Sequence, residues 1–162
     1  MKKLFLLLII SASVQFGFAQ KFELKINPVI MPFNVWQING EFLVNEDIGI
    51  EPGVIFIPEE DISLFSVLGK YYFSPKKGND GFHIGMFGQF IVPDAYFGLG
   101  FYTGYKWLSR RGVTFELGAG IGRILNPERS YGYYSETNIT GTGQATVGYR
   151  FGYGKTQVEK KM

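Results

Sequence analysis

Val113-Thr114-Phe115-Glu116-Leu117-Gly118-Ala119-Gly120-Ile121-Gly122 alternates strictly, with every second residue apolar. Successive side chains of a strand point to opposite faces, so this stretch has one face of Val, Phe, Leu, Ala and Ile. The other face carries Thr, Glu and three glycines. The same alternation recurs to either side. It predicts strands over 21–30, 35–44, 48–56, 64–73, 82–90, 97–107, 113–122 and 139–151. Each of the eight offers one face without a charge. The opposite faces hold Lys21, Glu23, Lys25, Glu41, Glu51, Lys70, Lys106, Glu116 and Arg150.

Periodicity does not say which face looks inward, but three other features do. The charged face is rich in glycine and the apolar face in rings, and a barrel of eight strands has room inside only for side chains. The chain opens like an exported protein. Aromatic residues gather at strand ends, as in the girdles of membrane barrels. Most strands run 9–11 residues, about the length that crosses a bilayer when tilted. The predicted fold is all-β: an eight-stranded antiparallel up-and-down transmembrane β-barrel with apolar side chains outward and charges inside. Pro28 and Pro52 conflict with a closed ladder, and a bulge or frayed strand end is expected at each.

The chain has 162 residues, enough for one domain. Lys2 and Lys3, the apolar run 4–10, and the small residues Gly17 and Ala19 describe a signal peptide cut after residue 19. The barrel then takes 20–151, and 152–162 is read as a short periplasmic tail. No later stretch is long and apolar enough for a transmembrane helix. Without cysteine, a lipid anchor at the cut, disulfides and thiolate metal sites are not expected. Sixteen basic against 14 acidic residues give no argument for nucleic acid. Twenty-two glycines with 16 Phe, 10 Tyr and two Trp fit a barrel.

The runs Leu24-Lys25-Ile26-Asn27-Pro28, Gly69-Lys70-Tyr71-Tyr72-Phe73 and Val147-Gly148-Tyr149-Arg150-Phe151 resemble those of small, functionally uncharacterised outer-membrane β-barrel proteins. The resemblance covers nearly the whole mature chain. It implies localisation in the outer membrane of a Gram-negative-type cell. It also implies that Phe151, ending the last strand, is similar to the aromatic signal read by the barrel-assembly machinery. Eleven residues follow Phe151 here, a departure from that pattern.

Candidate chemistry is sparse. Glu23, Lys25, Glu41, Glu51, Lys70, Lys106, Glu116 and Arg150 are expected to pair across the lumen and fill it, since an unpaired buried charge is costly. His83, the one histidine, invites comparison with outer-membrane lipid hydrolases. Those need a serine beside the imidazole and an acid behind it, and no His-x-Ser pair is present. Gly98-Leu99-Gly100 and Gly118–Gly122 imitate phosphate loops but sit inside strand patterns. Glu59, Glu60 and Asp61 form an acidic turn. Arg129, Tyr131, Tyr133 and Tyr134 occupy the longest connection and are the best candidates for surface contact. The expected protein is a non-enzymatic monomer without cofactor or metal. Its partners are membrane lipid and the assembly machinery. Its role is structural, or interactive through outer loops. A lipid-modifying enzyme and a soluble exported carrier barrel are the alternatives.

Overall fold

The computed structural model describes residues 21–92, 95–125 and 138–153. Eight antiparallel strands follow one another round a closed barrel in chain order. They are β1 (Lys21–Ile26), β2 (Trp36–Leu43), β3 (Ile48–Ile57), β4 (Ile62–Tyr72), β5 (Gly81–Val92), β6 (Tyr96–Leu108), β7 (Val113–Ile124) and β8 (Ile139–Arg150). A one-turn 3₁₀ helix, Met31–Phe33, lies between β1 and β2. Among the described residues no helix is long and apolar enough to cross a membrane, which says nothing about strands.

The register fixes how the strands are staggered. Starting at Phe22 it passes through Phe42, Ile50, Gly69, Met86, Phe101, Ile121 and Gly141. The β8–β1 register, with Glu23 opposite Arg150, then sets Gly141 level with Pro32. One circuit therefore climbs ten residues along β1, so every strand tilts away from the barrel axis.

The barrel is inverted relative to a water-soluble protein. Phe101 is 70% exposed and Leu117 53%, whereas Lys106 and Glu116 are fully buried. Soluble proteins almost never bury Lys and Glu completely while leaving large apolar side chains outside in a continuous belt. Inward glycines make the room: a Cβ at Gly100 or Gly120 would press on the Phe87 ring, and one at Gly118 on Tyr102. Outside, rings stack along the end nearest both described termini. Phe22 lies 5.1 Å from Phe42 and 6.1 Å from Phe151, Phe73 lies 5.7 Å from Phe82, and Trp107 lies 5.3 Å from Phe115.

Three details depart from the sequence-based expectation. First, β1 stops at Ile26 rather than at residue 30, and Pro28 lies in the turn beyond it. Second, Pro52 sits mid-strand with neither bulge nor fraying. The β2–β3 register is unchanged on both sides of it, and only the rungs opposite Gly40 and Glu41 are missing. Its pairing with β4 is continuous, so the absent N–H falls on the β2 side. Third, β7 runs on to Ile124, which puts an exposed Arg123 on the apolar face at the rim, between Leu99 and Ile139. At the rim its long stem can keep the charged head in water.

The wall is uneven. β1 pairs with β8 over four residues only, against eleven between β7 and β8. Seam-side amides of Ile139–Thr146 are therefore expected to exchange at least ~10-fold faster than amides of β6, by hydrogen exchange resolved to single residues. Equal protection along β6 and β8 would contradict the seam.

Candidate functional site

Inward positions of seven strands build one polar cluster, and eight of the nine charges placed on the inward face enter it. Lys25 on β1 is the hub. Its Nζ donates to Glu41, to Glu51 Oε2 at 2.6 Å and to Glu116 Oε2 at 2.6 Å, and lies 3.5 Å from Glu23. Lys70 on β4 bridges Glu51 at 2.7 Å and Glu116 at 2.5 Å. Lys106 on β6 bridges Glu41 at 2.6 Å and Glu23 at 3.0 Å, its ammonium 4.6 Å from the Tyr72 ring centroid. Arg150 on β8 donates through Nε to Glu23 at 2.6 Å. Four carboxylates thus meet four cations, all buried. Each charge has two or more partners, the condition under which so many can leave water together. The side chain of Lys21 lies outside the described set.

Both ends of the cluster are sealed by uncharged groups. Toward the termini, the 73–80 turn folds across the lumen. Arg150 donates to Gly78 O at 2.5 Å and Asn79 O at 3.0 Å, and Tyr153 covers its guanidinium at 5.7 Å. The chain therefore turns back onto the barrel after Phe151, through Gly152 and Tyr153; the rest of the expected tail lies outside the described residues. Toward the other end, Leu68, Phe87 and Tyr102 form a buried apolar layer. Beside it, Asn39 Nδ2 donates to Glu51 at 3.0 Å and to Gln144 at 2.8 Å, and Gln144 donates to Glu116 at 2.8 Å.

Metal binding and acid–base chemistry can be judged on this geometry. Carboxylate oxygens of Glu41, Glu51 and Glu116 lie within 4.8 Å of one another, close enough to share a cation. The Lys25 ammonium already occupies that position. His83 is buried between the rings of Tyr72 and Tyr102, at 4.9 and 5.8 Å. Its Nε2 lies 3.2 Å from Glu116 and its Nδ1 3.3 Å from Gly81 O. That is an acid–imidazole pair with no serine among its described contacts, inside a packed lumen. The glycine runs at 98–100 and 118–122 lie within β6 and β7, where they accommodate Phe87 and Tyr102 rather than open a helix.

The remaining predicted residues lie apart from the cluster. Phe151 is exposed at the barrel end, and its N–H bonds Phe22 O at 2.8 Å. In the acidic turn, Glu59 accepts a hydrogen bond from Asn34 at 3.2 Å. Arg129, Tyr131, Tyr133 and Tyr134 lie outside the described residues, as does the 1–19 leader. Sequence reasoning passed over Tyr72, Asn39, Gln144 and the carbonyls of Gly78 and Asn79. The first three share the inward parity of the charges, so restricting the search to charged residues hid them. The last two come from a turn whose inward fold has no periodic signature. In comparisons with known proteins, no protein-family model matches the chain, and no curated protein or solved structure is significantly similar to it.

Proposed function

We propose that this chain is an integral outer-membrane protein of the small β-barrel kind its motifs resemble, with a lumen filled by its own side chains. One observation carries the reading: the apolar belt faces out and the ion network faces in. In water that distribution would expose the belt at great cost. In lipid it is the favourable one, and closure of the sheet pairs most backbone polar groups without solvent. The packed, charge-balanced interior supports a plug rather than a pore, and no catalytic role is assigned to His83. On this reading the protein acts as a scaffold or through its outer loops, with Arg129, Tyr131, Tyr133 and Tyr134 as the contact surface. Phe151 serves recognition by the assembly machinery, and lipid is the standing partner.

Cell fractionation tests the reading. The protein is expected in the outer-membrane fraction, migrating differently on gels before and after boiling. Protease added to intact cells is expected to cut within 129–138. Recovery from the periplasm without detergent would instead establish the soluble carrier barrel.

A further inference from the structure

The half-height pairing between β1 and β8 leaves a seam in the wall. Glu23–Ile26 pair with Val147–Arg150, and the Phe151 N–H adds one bond to Phe22 O at the terminal end. Beyond them, Ile139–Thr146 of β8 faces the segment 27–35, and among the described residues no backbone group bonds that edge from the β1 side. Continuing the register would set Pro28 opposite Ala145 and Pro32 opposite Gly141. Both prolines lack the N–H a ladder needs, so the segment turns instead of pairing. From inside, the gap is spanned past the end of β1 by the Asn39–Gln144 hydrogen bond. On the outside, β8 shows only Gly141, Gly143 and Ala145 between Ile139 and Val147, and nothing lies within 4 Å of where a Gly143 Cβ would sit.

Within a membrane, which the proposed function assumes, unpaired backbone donors and acceptors are costly, and hydrocarbon cannot satisfy them. A second copy cannot do so either. Two barrels inserted the same way up would present β8 strands crossing at twice their tilt, about 80° for a typical tilt of ~40°. The occupant must be slender, apolar along its length and equipped with a donor–acceptor pair. An amide-linked acyl chain meets all three conditions, because its N–H and C=O reproduce those of one strand residue. We infer that the seam between β8 and segment 27–35 binds the amide-linked acyl chain of an amphiphile, its amide on the free β8 edge and its hydrocarbon in the track of Gly141, Gly143 and Ala145.

Trp36, exposed on β2 across the seam, is a built-in reporter. In a Trp107→Phe background it is the sole tryptophan. The folded protein in phosphatidylcholine vesicles is titrated with a chain-brominated N-acylethanolamine, and separately with the ester of the same chain. Saturable quenching of Trp36 is expected for the amide, with about tenfold weaker binding for the ester, one lost backbone hydrogen bond to a site that can offer no water in exchange. Gly143→Phe fills the track and should abolish saturation. Gly69→Phe should not; Gly69 floors a separate outer groove of about 1020 Å³ between Met86, Phe101 and Ile121. Equal, unsaturable quenching by amide and ester would overturn the inference, leaving ordinary boundary lipid. So would loss of binding in Gly69→Phe alone, which would move the site to the groove. Vesicles of brominated phosphatidylcholine provide the separate check: if they fail to quench Trp36, the membrane reading itself falls.

Discussion

Lys25→Met is expected to lower the stability of the folded barrel by about 3–5 kcal/mol, the usual cost of removing one partner from a buried ion cluster. The ammonium contacts Glu41, Glu51 and Glu116 at once. Its loss leaves three carboxylates within 4.8 Å of one another, short of one positive charge. Urea unfolding in lipid vesicles, followed by tryptophan fluorescence, measures the change. Adding Glu51→Gln to Lys25→Met should recover part of the loss by restoring neutrality. Lys76→Met, at an exposed turn residue, should fall within about 0.5 kcal/mol of the parent. A Lys25→Met barrel as stable as the Lys76→Met control would mean that the lumen is hydrated and the network dispensable.

Phe101→Arg tests the outside in the same assay. Phe101 lies near the middle of β6 and is the most exposed of that strand's large hydrophobic side chains. An arginine at the midplane of a membrane barrel costs about 2–4 kcal/mol. At an exposed site of a soluble protein the same change falls within about 0.5 kcal/mol. The two proposed environments therefore differ several-fold in their expected effect. A neutral result in vesicles would remove the lipid-facing assignment of the belt.

Much of the architecture is legible in the chain because a strand's period of two is a local property. The alternation Val113–Gly122 declares its two faces without reference to any other residue. The same reading assigned Glu23, Glu41, Glu51 and Glu116 to the face of Lys25, Lys70, Lys106 and Arg150. Closure of eight strands with the glycine-rich face inward then brings them into a shared interior. The seam was less legible. Pro28 signalled a disturbance, but whether a proline bends, frays or merely interrupts a ladder depends on which neighbour its nitrogen faces. Pro52 shows the difference, since it costs rungs toward β2 and none toward β4.

Sequence alone, then, determined the strand content, the separation of charge from hydrocarbon and the identity of the eight lumenal ions. The first two follow from side-chain alternation along single segments; the third also needed the glycine-rich face and the narrow bore of an eight-stranded barrel to say which side is inside. Tertiary structure decided that Lys25 is the hub, that Arg150 is capped by Gly78 and Asn79, and that among the described residues the β8 edge is unpaired beyond Val147. Those outcomes depend on stagger between strands far apart in the chain: a shift of one residue in any register would turn the same side chains toward different partners.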